Sequence, residues 1–315
     1  GRWKTELPAM QAGGPFTMEV IAGTARRRFE DVMIGEVWLC SGQSNMDFTL
    51  GKTAARPFAG VSGWEHEVVA AKHPRIRMFT AAWSMNEFPQ QEVEGQWNPC
   101  SPETAADFSA VAFYFWRALE HELDVPVGLL TCAYGASTIE AWIRRDTLAA
   151  KEPFRPLLAE LDRKVLAFRD TPRAWLDYGQ ALATHRGGRA PKNPDPFQDQ
   201  HHPAVLHNGM LAPVAPYALR GTIWYQGESN VGEAAYYSCI FPAMIADWRS
   251  KLPGLNTFGF VQMVDSLLQK YKAKKIGMAF GLRPISQINY SVNEISYLKS
   301  AGDSILNNYK GDGGL

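Results

Sequence analysis

The 315-residue sequence lacks an excess of charge of either sign and lacks a long apolar run. It holds 32 Lys plus Arg and 32 Asp plus Glu, so its formal net charge is zero. A balanced charge argues against a nucleic-acid groove or an anionic membrane surface as the main partner. No apolar run approaches the ~18–20 residues that a membrane-spanning helix needs, so we expect no membrane span. No signal-peptide pattern is visible, and the sequence leaves the compartment and the oligomeric state open.

Cysteine is scarce as well. The four cysteines, Cys40, Cys100, Cys132 and Cys239, are too few to form a disulfide scaffold in a chain of this length. Cys40 and Cys132 each close an apolar, strand-like run, and we expect both to be buried free thiols. A Cys100–Cys239 disulfide is an open alternative at this point.

The order of apolar and amphipathic segments predicts an α/β fold. Residues 1–33 have the alternation of two paired strands that turn at Gly23-Thr24, and we interpret them as the remnant of a β-domain truncated at its N-terminus. Residues 34–262 alternate buried strands with amphipathic helices, which indicates a mostly parallel sheet covered on both faces. Residues 263–315 lose this rhythm, carry a lysine cluster and end in Gly-rich sequence. We interpret them as a divergent tail that packs poorly against the sheet.

Several elements are predicted in more detail. The alternation in Arg75–Phe79 favours an outer strand of the sheet. Ser101, followed by a proline, is expected to cap a long amphipathic helix. Pro242 is expected to kink or restart a helix that ends near Trp248. The polar, Pro-rich stretch 187–203 predicts a long surface loop that is a candidate for the border of the site.

Three polar motifs follow three of the predicted strands at their carboxyl ends. They are Gly42-Gln43-Ser44-Asn45, the stretch from Tyr134 to Trp142, and Trp224-Tyr225-Gln226-Gly227-Glu228-Ser229-Asn230. In open parallel sheets, ligands collect at this edge. We therefore expect the three motifs to line one crevice.

The residue types in these motifs suit acyl transfer by a serine. A strand that ends at Gly42 and turns sharply would expose the Ser44 hydroxyl as a nucleophile. Attack on an ester carbonyl produces an oxyanion, which needs preorganised donors, each worth roughly 2.7–4 kcal/mol of the barrier. The candidates are the backbone N–H groups of Ser44 and Gly135 and the side-chain amide of Gln226.

Each of these residues also has a purely structural interpretation. Gly135 would serve a turn equally well, and Gln226 would serve to tie two loops together. Asn45 and Asn230 are interpreted as braces that support the site and not as catalysts. Trp224 is expected to pack in the core.

The motifs together resemble those of the sialate O-acetylesterase family, which are carbohydrate esterases of the SGNH-hydrolase type. The segments Leu206–Pro213, Phe241–Arg249 and Phe258–Gln262 are similar to the same family and occur in the same order. The resemblance covers roughly residues 13–262. It implies a three-layer α/β/α fold with a mostly parallel sheet.

The resemblance also implies a chemistry. It implies removal of O-acetyl groups from sugars, typically sialic acids, with Ser44 as the nucleophile. It places Gly135 and Gln226 in the oxyanion hole together with the Ser44 N–H. It implies an O-acetylated carbohydrate as the partner, and neither a metal nor an organic cofactor.

The sequence departs from the family pattern in two places. Ala136 stands where the family often has a second glycine. The family's C-terminal block, an Asp shortly before a His-Pro pair, supplies the orienting carboxylate and the base. It has no counterpart after Gln262, and no histidine follows His207. We therefore identify no catalytic Asp or His.

An upstream histidine would have to replace the missing base. We expect that none does, because His207 lies in a packing segment and His201-His202 lie in a polar loop. Our hypothesis is a carbohydrate O-acetylesterase that acts through an acyl-serine intermediate on sialic acid or another acetylated glycan. The alternative is a catalytically defective fragment or a non-catalytic glycan-binding protein.

Overall fold

The computed structural model describes residues 7–263, apart from residues 9, 55, 57–58, 172, 188–189, 253–254 and 256, and also residues 278–283. The strands are β1 (Gly13–Ala22), β2 (Ala25–Ile34), β3 (Glu36–Gly42), β4 (His73–Thr80), β5 (Trp97–Cys100), β6 (Val127–Ala133), β7 (Gly221–Tyr225), β8 (Thr257–Met263) and β9 (Met278–Arg283). The α-helices are α1 (Ser44–Asp47), α2 (Trp64–Ala70), α3 (Ala110–Leu123), α4 (Arg145–Ala149), α5 (Arg155–Arg169), α6 (Arg173–Thr184) and α7 (Ala234–Lys251).

A seven-stranded sheet lies at the centre of the fold, in the order β5-β4-β6-β3-β7-β8-β9. The five inner strands run parallel to one another. The two edge strands, β5 and β9, pair antiparallel with β4 and β8. The expected α/β class with a mostly parallel sheet is therefore confirmed.

Helices cover both faces of this sheet. Side chains alternate between the faces of a strand, and β3 shows the result. Trp38 and Cys40 join a buried cluster that includes Phe113 of α3. Leu39, between them, joins a second cluster that includes Met244 of α7. Two cores on opposite faces of one sheet make the three-layer α/β/α arrangement that the resemblance implies.

Strands β1 and β2 form a separate two-stranded antiparallel sheet, as their alternation predicts. They turn at Gly23-Thr24, where Gly23 has a φ of 61°. An ion pair of 2.6 Å between Arg77 Nη2 and Asp31 Oδ1 joins this ribbon to β4. The interpretation of the ribbon as the remnant of a β-domain stays a prediction.

Strand β4 is not the outer strand that the sequence favoured, because β5 pairs with its free side. Strand β5 spans only four residues and includes Pro99. Proline lacks the N–H that an interior strand donates, so it is confined to edges and bulges. Because Pro99 breaks the strand pattern, this short edge strand could not be predicted from the sequence.

Helix α3 begins later than predicted. Its N-cap is Ser109, whose hydroxyl oxygen accepts a hydrogen bond of 3.2 Å from the Ala112 N–H. Ser101 instead belongs to a turn in which its N–H donates to the Thr104 hydroxyl over 3.1 Å. Both serines suit a helix start, and the apolar spacing alone does not decide between them.

Helix α7 passes through Pro242 as one element. All four cysteines are free, with Cys100 buried and Cys239 exposed, so the alternative disulfide does not form. In the described part of the chain no helix has both the length and the apolar character needed to cross a bilayer. Within the tail at 263–315, the expectation of poor packing against the sheet is wrong for Met278–Arg283, which pair with β8 as the edge strand β9. The rest of the tail beyond Met263 lies outside the described residues.

Candidate active site

The three motifs meet at one edge of the sheet. Strands β6, β3 and β7 are neighbours, and the motifs follow their carboxyl ends. The Tyr134 N–H donates to the Gly42 carbonyl over 3.1 Å, and the Gln43 N–H donates to the Tyr225 carbonyl over 3.0 Å. Gly42 has a φ of +147°, and a Cβ at this position would lie 2.0 Å from the Tyr225 oxygen. Only glycine fits where β3 turns this closely against β7.

Ser44 is half-buried at the first position of α1, directly beyond that turn. Gly135 faces it, since a Cβ added to Gly135 would lie 3.9 Å from the Ser44 Cβ. Neither Ser44 nor Gly135 has a partner for its backbone N–H among the described residues. Ser44 and Gly135 thus lie side by side at the edge where the sequence predicted them, and their joint service as an oxyanion hole stays a prediction.

Gln226 lies at the same edge, but its side chain is engaged within the protein. Its Nε2 donates to the Ser137 carbonyl over 3.1 Å and to the Asn230 Oδ1 over 2.8 Å. Its Oε1 accepts from the Tyr237 hydroxyl over 2.8 Å. Both amide hydrogens therefore have acceptors, and the amide orientation is fixed by the hydroxyl. The role of Gln226 as a third oxyanion donor stays a prediction. In that role its Nε2 would have to give up one of these two hydrogen bonds and donate to the oxyanion instead.

Asn230 braces the loop that carries Gly135. Its buried Oδ1 accepts from the Ile139 N–H over 3.1 Å, and its Nδ2 donates to the Glu140 carboxylate over 3.3 Å. Together with Gln226, it holds the loop after β6 against the loop after β7. The sequence predicted this supporting role for Asn230.

Gln43 and Asn45 brace the loop after β7 from the serine side. The buried Gln43 Oε1 accepts from the N–H groups of Gly227 and Ser229, each over 3.3 Å. Asn45 Nδ2 donates to Glu228 Oε1 over 2.5 Å. The role of Gln43 was not assigned from sequence, although its place between Gly42 and Ser44 in the first motif was a signal.

A charged and aromatic group lies on the other side of Ser44. Asp47, in the same short helix, accepts from Arg56 Nε over 2.9 Å and from the Trp83 side chain. Burial raises the pKa of Asp47 to about 6, and the neighbouring Arg56 opposes that rise. The Arg56 guanidinium carbon lies 4.4 Å from the Trp83 ring centre, and the Trp83 and Tyr134 rings are 5.3 Å apart. Sequence reasoning missed Arg56 and Trp83, which belong to none of the three motifs.

The loop at 187–203 does border this edge. The Thr138 N–H donates to the Gln200 carbonyl over 3.4 Å, and the Thr138 hydroxyl donates to the His201 carbonyl over 3.3 Å. His201 Nδ1 pairs with Asp199 Oδ1 over 2.6 Å. Hydrogen bonds from His201 and from Lys192 hold the pKa of the Asp199 carboxyl well below its usual range.

The other two histidines considered from sequence are held in structural contacts. His202 Nδ1 bonds the Pro196 carbonyl, and its Nε2 lies 3.0 Å from Lys164 Nζ. His207 is buried, with its Nδ1 3.3 Å from the Asn208 side-chain oxygen. Burial lowers the pKa of both imidazoles. His201, with 47% of its side chain exposed and a carboxylate on one ring nitrogen, differs from both.

The described residues contain no group of three or more His, Cys, Asp or Glu side chains placed to bind a metal ion.

Comparison with known proteins gives a consistent result. A family model described as "Carbohydrate esterase, sialic acid-specific acetylesterase" matches residues 34–168. The chain is 30% identical over 292 residues to the sialate O-acetylesterase of Rattus norvegicus, across 84% of this chain and 51% of that protein. It is 29% identical over 290 residues to the Homo sapiens sialate O-acetylesterase, across 85% of this chain and 48% of that protein.

A solved structure shares the architecture. The crystal structure of a carbohydrate acetylesterase from Xanthomonas citri superimposes with a TM-score of 0.61 at 28% identity, covering 81% of this chain and 48% of that one. The chain spans about half the length of the relatives it matches.

Proposed function

We propose that this chain, which belongs to the sialic acid-specific acetylesterase family of carbohydrate esterases, removes O-acetyl groups from carbohydrates through an acyl-serine intermediate. The observation that supports the mechanism is the position of Ser44. It begins α1 just beyond the carboxyl end of β3, and the Gly135 backbone stands against it without a side chain between them. Sialic acid and other acetylated glycans are both candidates for the sugar.

The proposed reaction has two steps. Ser44 Oγ attacks the acetyl carbonyl carbon, the ester C–O bond breaks, and the sugar leaves as an alcohol with the proton of the serine. Water then attacks acetyl-Ser44, acetate leaves, and the hydroxyl is restored. The N–H groups of Ser44 and Gly135 stabilise the oxyanion of both steps, and Gln226 is the candidate for a third donor.

The base is the part of this mechanism that the motifs do not supply. A serine hydroxyl has a pKa far above neutrality and needs a base within hydrogen-bond reach. Since no histidine follows His207, we expect slow turnover. A glycan-binding chain without turnover is the alternative, and the same experiment separates the two.

The test is acetate release from an O-acetylated hexopyranoside, together with mass spectrometry of the protein after acid quench. We expect slow acetate release and an added acetyl group on the Ser44 peptide, both lost in Ser44→Ala. The matched control is Ser250→Ala, an exposed serine near the end of α7, where the helix returns to the opposite edge of the sheet. Release that persists in Ser44→Ala would contradict the mechanism, and saturable sugar binding with no release would favour the alternative.

A further inference from the structure

We propose that Trp83 and Tyr134 form a platform on which the pyranose ring of the acetylated substrate stacks while its ester faces Ser44. This inference rests on the proposed function, because it assigns the part of the substrate that the acyl-transfer chemistry does not contact. The ligand class is a pyranoside, recognised through the C–H face of its ring.

The position of the two rings follows from the order of the strands. Trp83 follows β4, Tyr134 follows β6 and Ser44 follows β3, and these three strands are adjacent and parallel. Tyr134 is joined to the end of β3 by its N–H bond to Gly42. It also precedes Gly135, the residue that faces Ser44. The aromatic pair therefore lies along the same sheet edge as the nucleophile, with Tyr134 next in sequence to the residue that faces Ser44.

The exposure of Trp83 sets it apart from the tryptophans of the core. Trp83 is 41% exposed, whereas the largest buried side chains include Trp116, Trp142, Trp224 and Trp248. Its ring meets the half-buried Tyr134 ring at 47°, so the two aromatic rings form an angled surface. Tryptophan and tyrosine combine a large apolar area with few rotatable bonds, which suits binding of an apolar ring face.

Trp83 is held in place before any ligand arrives. The Arg56 guanidinium packs over its ring, and the Asp47 carboxylate accepts from its side chain. Asp47 in turn belongs to the same four-residue helix as Ser44. A ring fixed in this way loses little conformational freedom on binding. The contacts also couple the position of the platform to the position of the nucleophile.

The experiment measures sugar binding in the Ser44→Ala protein, so that turnover does not interfere. The probes are the methyl glycoside of an O-acetylated hexopyranose and the same glycoside without the acetyl group, titrated by calorimetry and by saturation-transfer NMR. We expect Trp83→Ala to weaken binding of both glycosides by tenfold or more, equivalent to about 1.4 kcal/mol. Trp83→Phe keeps an aromatic face, so its loss of affinity for the glycosides should be smaller than that of Trp83→Ala.

The matched control is Trp175→Ala. Trp175 in α6 is 49% exposed and also packs against aromatic neighbours, Phe168 and Tyr178, but α6 does not follow a strand of the sheet. We expect no change in affinity.

Equal losses in Trp83→Ala and Trp175→Ala would overturn the platform, and so would the absence of glycoside binding while Trp83 is intact. Acetate release that does not depend on Ser44 would instead refute the proposed mechanism. The binding measurement would still test the Trp83–Tyr134 platform, because it does not depend on turnover.

Discussion

Gly42 and Gly135 are needed for different reasons, Gly42 for the folded backbone and Gly135 for access to Ser44. Substitution of each glycine by alanine distinguishes these two roles. At Gly42 the φ of +147° and the 2.0 Å approach to the Tyr225 oxygen leave no room for a Cβ. We expect Gly42→Ala to lower the free energy of unfolding by about 1–3 kcal/mol, the usual range for a strained backbone residue. At Gly135 the nearest atom would be the Ser44 Cβ at 3.9 Å, an ordinary contact.

Gly135→Ala should therefore keep near-native stability, while its methyl group occupies space in front of Ser44. We expect kcat/KM for acetate release to fall by about 10²-fold, the scale of a misplaced reacting group. Urea denaturation and acetate release on both variants make the comparison. Equal destabilisation by the two substitutions would show that Gly135 is only a turn residue.

Ala136 occupies a conformation that favours glycine, with a φ of 55°. This residue departs from the family pattern, and the left-handed conformation costs an alanine about 1–2 kcal/mol. Glycine would remove that cost, but it would also raise the conformational entropy of the unfolded chain, which lowers stability by about 0.4–1 kcal/mol. We expect Ala136→Gly to raise the free energy of unfolding by about 0.5–1 kcal/mol. Ala159→Gly, at an exposed position inside α5, should lower it by about 1 kcal/mol; a loss at both positions would contradict the prediction.

Asp47 gives the site a pH-dependent stability. Its folded pKa of about 6 lies above the ordinary value of 3.8 because burial disfavours the carboxylate. The folded state therefore binds this proton more tightly than the unfolded state between these values. The contribution of the protonated Asp47 to the free energy of unfolding is full below about pH 3.8 and is lost as the pH rises through about 6.

The measurement compares the free energy of unfolding of the wild type with that of Asp47→Asn, which does not titrate. We expect the difference between them, wild type minus variant, to fall by about 3 kcal/mol as the pH rises across this window. A difference that grows with pH would mean that the ion pair with Arg56 outweighs burial.

At the scale of elements, the strands that carry the site could be predicted from sequence, because each is a short apolar run ended by a polar motif. Strands β3, β6 and β7 are of this kind, and they place Ser44, Gly135 and Gln226 at one edge. Strand β5 could not be found, since Pro99 interrupts its four residues. Trp83 and the Asp199–His201 pair could not be placed either. Their positions depend on contacts between loops distant in sequence and on no local pattern.

The brace between the loops after β6 and β7 is an example of such a contact. Asn230→Ala would leave the Ile139 N–H and one Gln226 amide hydrogen without their acceptor in a buried place. We expect the free energy of unfolding to fall by about 1–3 kcal/mol. Hydrogen exchange should also show a faster Ile139 amide and an unchanged Leu129 amide inside β6. Equal acceleration of both amides would indicate global destabilisation and not the loss of a local brace.

At the scale of the whole molecule, the question is how much activity the chain has without a histidine after His207. The chain spans about half the length of its relatives, and its seven histidines all lie within residues 66–207. Removing the histidine of a serine-protease triad lowers kcat by a factor on the order of 10⁶. A rate enhancement of about 10³–10⁴ over the reaction in water remains, supplied by the oxyanion hole and by substrate binding. The preorganised N–H groups beside Ser44 would supply a residual rate of this kind.

We therefore expect slow acetate release that is abolished by Ser44→Ala and unchanged by His201→Ala, His202→Ala and His207→Ala. The buried His202 and His207 require a check of the thermal midpoint, so that a loss through unfolding is recognised. His201 gives the decisive comparison, because its ring is partly exposed and its partner Asp199 has a strongly lowered pKa. A large fall in kcat with His201→Ala, reproduced by Asp199→Asn while the thermal midpoint is unchanged, would contradict the prediction. It would show that the Asp199–His201 pair serves Ser44 as its base.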